Sequence, residues 1–300
     1  MSLLNKVSSG IKIKPQIMVL HGQPAVGKST FASKFDACLF LDLEDGSANL
    51  NVTRLTASDL PTYSTVLGVI DELIADNKQF KTLVIDTATK LEAMIHRHLC
   101  GTKFESIEDY GGGFGRGYTA SREELQKLMQ KLRILATKMT IIINGHSSLK
   151  AFHDPVTNST YDRFIMQNNE KFAQILMNEA DSVFFLKHDV STAKDSKTNK
   201  TQAFLSGERK IMTTFSPAYD AKTRLQLPSE LPLSYEAFVK AVEENKPKSA
   251  AELRADIKAM LLKADDQNKT IATQKVTEAG DDITALIRIK QKLSEMVRAA

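Results

Sequence analysis

Gly22-Gln23-Pro24-Ala25-Val26-Gly27-Lys28-Ser29, entered from the apolar run Ile17 to Leu20 and followed by Thr30, decides how the chain is read. The stretch matches G-x-x-x-x-G-K-[ST] at every fixed position. Its glycines let the backbone curl so that successive N–H groups point inward, a geometry that cradles phosphate oxygens. Ile17 to Leu20 predicts a buried strand ahead of the loop, and Lys28 to Phe35 the helix behind it, whose positive end adds to the cradle. A chance match in a chain of this length is on the order of 1%. The pattern assigns Lys28 to the β- and γ-phosphates and the Ser29 hydroxyl to Mg2+, so ATP and Mg2+ are the expected ligands.

Working outward, short apolar runs alternate with helical spacing. Cys38 to Leu43 and Leu83 to Ile85, the latter closed by Asp86, predict two further buried strands; Thr140 to Asn144 and Ser182 to Leu186 predict two more. Leu67 to Ile74, Leu91 to Leu99 and a segment through Leu125, Leu128, Leu132 and Leu135 carry helical periodicity. Ser121 and Glu124 read as the capping box of that last helix. Such alternation predicts an α/β fold with a mainly parallel sheet covered on both faces. After Leu186 the chain turns polar and basic to Gln202, and Ala203 to Leu205 is the expected return strand of a hairpin. Ser234 to Val242 reads as the last helix of a core over 1–245. Lys246-Pro247-Lys248 reads as a linker to a small helical extension over 246–300. There Ser249 and Glu252 form a second capping box, and Ile283 to Val297 is amphipathic.

Bulk properties narrow the class. In 300 residues, 42% are hydrophobic and 25% charged, the balance of an ordinary globular protein. No apolar run approaches the roughly 18 residues of a membrane span, and Met1 to Lys14 lacks the pattern of a secretory signal. The two cysteines, Cys38 and Cys100, have no ligand spacing and fit a reducing, cytoplasmic setting. A net charge of +4 is too mild to imply nucleic-acid binding unless the charge is concentrated in particular loops.

The carboxylates come next. Asp86 ends its strand where a Mg2+-holding aspartate is expected. Glu44, just past Asp42-Leu43, is the first choice for the base that activates water, with Asp42 and Asp45 as competitors. The carboxyl ends of parallel strands converge on the ligand crevice. His96 and His98 lie on different helix faces and do not form a metal pair.

The order of P-loop, Leu41-Asp42-Leu43-Glu44, Asp86 and Ile143-Asn144-Gly145-His146 resembles the RecA-type core over Lys14 to Val242. It looks most like the compact phage RecA-like ATPases that anneal single strands. The resemblance implies Glu44 as the water-activating glutamate and either Asn144 or His146 as the γ-phosphate sensor. Lys222 and Arg224, with Pro228 after them, look like the trans-acting cations that reach a neighbouring subunit's ATP in a homo-oligomer. It also places two loops along a DNA channel: Asp109 to Tyr118, with Arg116 and Tyr118, and Ser147 to Met166, with Lys150 and Arg163. Cations, aromatic faces and mobile backbone are what sequence-tolerant single-strand binding uses. The implied function is ATP-dependent binding and annealing of single-stranded DNA in the host cytoplasm. A nucleotide-switched replication loader or regulator and a hexameric helicase-type motor are the rivals. Docking to a single-strand-binding protein is one use for the C-terminal helices.

Overall fold

A computed structural model of the chain describes residues 15–194, 201–245, 249–262 and 266–299. The segment read for a secretory signal (1–14), the expected linker (246–248) and part of the polar connection (195–200) lie outside the described residues. The chain separates into two compact units, residues 1–245 and 246–300.

The strands of the larger unit are β1 (Ile17–Gly22), β2 (Cys38–Asp42), β3 (Thr53–Leu55), β4 (Thr82–Asp86), β5 (Thr140–Asp154), β6 (Ser159–Met166), β7 (Ser182–Lys194), β8 (Thr201–Met212), β9 (Lys222–Thr223) and β10 (Glu230–Pro232). They follow the order β10-β8-β7-β1-β5-β4-β2-β3, with β6 paired to β5 and β9 to β7. From β7 to β3 every neighbour on that path is parallel. The chain leaves β1, passes to β2 beyond two positions later filled by β4 and β5, works back, and then crosses to β7 on β1's other side. This is the RecA-like P-loop NTPase core, and its order reverses at β1, where the carboxyl ends of the strands open a crevice.

Why the strands are apolar throughout is visible in their alternation. Ile17, Val19, Leu39, Leu41, Leu83, Ile85, Ile141 and Ile143 enter one core, shared with helices α2 (Tyr63–Ala75), α3 (Ala88–Cys100), α4 (Arg116–Leu135) and α5 (Glu170–Glu179). Met18, Leu20, Phe40, Val84 and Ile142 enter a second core on the other face, with α1 (Lys28–Ala32) and α6 (Tyr235–Glu244). A strand buried on both faces has no polar phase to show.

Three expectations change. Helix α1 is shorter than Lys28 to Phe35. Ser121 caps nothing: α4 begins at Arg116, and Ser121 lies inside it on the buried stripe with Gly117, Leu125, Leu128 and Leu132. The early start depends on Gly117, where a Cβ would stand 1.9 Å from the Ile107 carbonyl oxygen. Thirdly, Ser147 to Met166 is a regular hairpin, paired from Ser147↔Met166 to Asp154↔Ser159, and not an unstructured loop. The predicted hairpin return is present as β8.

The smaller unit consists of α7 (Ala250–Leu261), α8 (Asp266–Ala279) and α9 (Ile283–Ala299) around Leu253, Ile257, Ala272, Leu286 and Leu293. The Ser249–Glu252 capping box is formed in both directions. Among the described residues no helix is long and apolar enough to cross a membrane.

His21, the penultimate residue of β1, is fully buried. Its Nε2–H donates to the Asp220 carbonyl at 2.7 Å, so Nδ1 accepts from the Ser147 hydroxyl at 3.0 Å. Burial lowers its pKa from 6.5 to about 4, although Asp220 pulls the other way. Below pH 6.5 the unfolded chain therefore takes up a proton that the folded chain refuses until about pH 4. Stability should fall across that window by about 3 kcal/mol from this group. Denaturant titrations between pH 7 and 4, with the imidazole followed by NMR, check this; an imidazole that titrates at its ordinary pH overturns it.

Candidate nucleotide site

The loop is held open by what it lacks and by one anchor. A Cβ on Gly22 would lie 2.2 Å from the Leu186 carbonyl oxygen, so β1 meets β7 this closely only with glycine there. Ala25 and Gly27 take positive φ values of 58° and 106°, which turn the loop back over itself. Between them the Val26 side chain is buried in the second core. Gln23 is half-buried, while Pro24, Ala25 and Thr30 face solvent. Lys28 folds inward, its ammonium donating to the carbonyls of Gly22 at 3.2 Å and Gln23 at 3.0 Å. Burial lowers its pKa, opposed by the charges of Asp86 and Glu44, which identifies the two carboxylates that face it.

Sheet register delivers the rest. Asp42 aligns with Asp86, Asp86 with Asn144, and Asn144 with Leu20, so one row of residues crosses the sheet just below the loop. The Ser29 hydroxyl donates to Asp86 Oδ2 at 2.5 Å. Burial raises the Asp86 pKa; the Ser29 hydroxyl and Asn144 amide oppose this, and the charges of Asp42 and Glu44 add to it. Asn144 is completely buried, and neither its amide nitrogen nor its oxygen finds a hydrogen-bond partner. Its influence on Asp86 is therefore a matter of proximity, because it lacks the alignment of a full hydrogen bond.

These features fit a nucleotide with a divalent cation. The Ser29 hydroxyl and Asp86 carboxylate already converge, and the acidic row is short of positive charge. The unpartnered amide of Asn144 marks polar capacity unused beside them. Ser29 and Asp86 are the pair that could hold Mg2+, with Gly22 to Thr30 around the phosphates.

The three acidic candidates separate cleanly. Asp42 is buried and accepts from the Gly46 and Ser47 amides and the Ser47 hydroxyl, which fixes it as the brace of the turn after β2. Asp45 accepts from the Ala57 amide. Glu44 remains at the site, accepting from the Thr87 hydroxyl at 2.7 Å, with His146 Nε2 at 3.4 Å from its other oxygen. Asn144 thus lies beside Asp86, and His146 beside Glu44.

Lys222 and Arg224 lie elsewhere. Lys222 pairs with Val183 at the start of β7, toward the opposite end of the sheet from the loop. Its ammonium donates to the Asn178 carbonyl, and Arg224 donates to the buried Asp181 carboxylate at 2.7 Å. Partial burial, then the charge of Arg224, lowers the Lys222 pKa.

The four DNA candidates divide. Arg116 is exposed and donates to the Gly111 carbonyl, beside a fully exposed Phe114. Lys150 is exposed, 3.4 Å from Glu170. Tyr118, in the first turn of α4, bonds Glu108 and meets the His96 ring edge-on. Arg163 is engaged on three sides: it donates to Asp220 at 2.7 Å and lies over the rings of Phe152 and Phe215. It serves as a strut of the hairpin. Arg209, on β8, carries no local signal in the sequence, yet it donates to the Val26 carbonyl at 3.2 Å. No linear pattern links it to Val26, 183 residues earlier, and the pairing of β7 with β8 brings it there.

A phosphate cradle with a buried lysine, a hydroxyl–carboxylate pair and a further carboxylate on a RecA-like sheet defines a P-loop ATPase. The chain belongs to the AAA domain family, whose profile matches residues 14–225. Among solved structures it is similar to a KaiC-like protein from the hyperthermophilic archaeon Pyrococcus horikoshii, with 14% identity, 73% of this chain and 85% of that one covered, and a TM-score of 0.35. No curated protein matches the sequence.

Lys28→Ala is expected to abolish tight nucleotide binding, because no other loop cation faces the phosphates. Glu44→Gln should keep binding while slowing turnover by about 10²–10⁴-fold. Equilibrium binding and single-turnover hydrolysis check both; normal hydrolysis by the Glu44→Gln protein removes Glu44 as base.

Proposed function

We propose that this ATPase binds ATP with Mg2+ at the boundaries of a homo-oligomer and uses it to bind and anneal single-stranded DNA, in the manner of the phage annealing ATPases that its sequence resembles. In this reading Ser29 and Asp86 would hold Mg2+, which would supply charge neutralisation to the triphosphate. Lys28 binds the β- and γ-phosphate oxygens. Glu44, oriented by Thr87, accepts the proton of the attacking water. Asn144 and His146 report the state of the terminal phosphate to the strand that carries them.

The observation that carries the proposal is the continuity of β5. The strand bearing Asn144 and His146 runs on without a break into the hairpin over 147–166. A change at the phosphate end therefore acts directly on the hairpin. That hairpin exposes Lys150 and part of Phe152, and the glycine loop exposes Arg116 and Phe114. Cations beside aromatic faces support a sequence-tolerant single-strand surface.

One observation favours a second reading. The hairpin also exposes Leu149 by 61% and Val156 by 89%, and Arg163 is already paired. Exposed apolar side chains with few free cations suit a protein partner, which is the nucleotide-switched loader or regulator. Hydrolysis and fluorescence binding with and without single-stranded DNA separate the two. The annealing reading expects stimulation by DNA. It also expects the Arg116→Ala/Lys150→Ala protein to bind DNA more weakly, with a log–log salt slope flatter by roughly 0.7 per lost contact. Unchanged affinity and slope would favour the docking reading.

The position of Lys222 and Arg224, away from their own loop, supports a role across a subunit boundary. Trans-acting cations of this kind contribute about 10³–10⁵-fold in rate. Lys28→Ala protein mixed with Lys222→Ala/Arg224→Ala protein, each inactive alone, should recover part of the activity. A finger variant already active alone, or no recovery on mixing, removes the trans role.

A further inference from the structure

An open groove of about 740 Å³ runs between α8 and α9 of the smaller unit. Its apolar lining includes Ala272 and Ala279 from α8, and Ala285 and Ile289 from α9. Helical spacing sets each pair on one stripe of its helix, and the small alanine side chains leave the space open. No α7 residue lines the groove, so it follows the side of the α8–α9 pair that α7 leaves uncovered. Lys275, Arg288 and Lys292 stand exposed along it. Among the described residues none of the three has an ion-pair or hydrogen-bond partner. Arg254 and Lys290 of the same unit are already paired, with Asp281 and Asp256. The two carboxylates at the groove both lie near the α8–α9 turn and are engaged locally. Glu278 accepts from the Gln274 amide, and Asp282 accepts from the backbone amides of Thr284 and Ala285.

We propose that this groove is a docking site for an amphipathic helix with acidic flanks, supplied by a partner protein. Shape argues for a helix. From Ala272 to Ala279 the groove runs about 10 Å, two helical turns, and its lining repeats at the spacing with which an incoming helix presents its own apolar stripe. Charge argues for acidic flanks. Residues 246–300 hold 11 Lys and Arg against 8 Asp and Glu, so +3 of the chain's net +4 resides there. The unpaired share lining the groove is cationic. Residues 246–300 contain no Phe, Tyr or Trp, so a single-stranded nucleic acid would find no ring on which to stack its bases. A second copy of the chain is disfavoured as well, because a two-fold contact would set the three cations against themselves. An aliphatic floor with a cationic rim is thus complementary to leucine-type side chains between carboxylates.

The test screens the full chain against a displayed library of peptides about 15–20 residues long, a length at which helix formation is within reach. Each peptide carries a fixed apolar stripe at helical spacing, with flanks drawn from Glu, Lys and Ser. Enrichment of Glu-flanked sequences is expected, and fluorescence anisotropy then measures the affinity of an enriched peptide. Lys275→Glu/Arg288→Glu/Lys292→Glu should weaken that peptide roughly tenfold or more and turn the preference toward Lys flanks. Ala285→Trp, which obstructs the groove at unchanged charge, should weaken it too. Circular dichroism checks both proteins, and the rim variant decides alone if the tryptophan disturbs the fold. Enrichment of Lys-flanked peptides or of none overturns the proposal, as does an affinity that a folded variant leaves unchanged. Displacement of the peptide by single-stranded DNA would assign the groove to nucleic acid and overturn it. A change of oligomeric state caused by Ala285→Trp, read by sedimentation, would assign the face to a second copy with the same consequence.

Discussion

Burial of β1 between two parallel neighbours is the constraint on which the rest of the structure depends. All six of its residues are buried, and its two faces feed two different cores. The strand therefore cannot slip by one residue without exchanging Val19 for Leu20 across the sheet, which would misplace every apolar side chain it carries. That fixed register sets Gly22 against Leu186 on one side and His146 on the other. The close approach to the Leu186 carbonyl requires a glycine at the moment the chain must begin to curl. The cradle is thus a consequence of where the central strand ends.

The same register explains why acidic residues distant in sequence meet. Asp42, Asp86 and Asn144 are neighbours because β2, β4 and β5 are in step, each leaving the core at the same height as β1. A row of this kind is costly to bury. Asp42 is stabilised by the amides of its own turn, whereas Asp86 has one hydroxyl and the ammonium of Lys28 nearby. The asymmetry separates Asp42, whose oxygens are occupied by its own turn, from Asp86, which keeps capacity for a further partner, more sharply than their positions at two strand ends can.

Much of this was legible in the sequence, for identifiable reasons. The loop motif is local, and doubly buried strands announce themselves as unbroken apolar runs, so β1, β2, β4, β5 and β7 could be located from residues alone. What escaped detection depends on contacts between distant segments. The hairpin over 147–166 is polar because it leaves the core, and polarity without a buried face reads as loop. The start of α4 is hidden from a linear reading because four glycines at 111–113 and 115 precede it, while the contact that admits Gly117 into a helix lies at Ile107. Ser121 and Glu124 have capping-box spacing by coincidence. Arg209 carries no local signal, and its place beside the loop exists only once β8 has folded back along β7.

The hairpin's order in turn bears on how the two ends of β5 communicate. Its base is fixed by more than strand pairing. Phe164 lies against Phe185, Phe185 stacks on Tyr219 at 4.6 Å, and Asp220 joins Arg163 of the hairpin to His21 of β1. His21 is followed directly by Gly22, and its Ser147 partner follows His146. Two routes therefore connect the cradle to the hairpin: one along the β5 backbone, and one through a neutral imidazole whose ring nitrogens are both engaged. A flexible loop would absorb a small displacement at the phosphate end. A paired strand rooted in packed aromatic rings transmits it, because tightly packed interiors deform little and shift between discrete arrangements. The paired hairpin at 147–166 differs from the mobile backbone expected of a DNA-channel loop, and it continues the strand that carries Asn144 and His146.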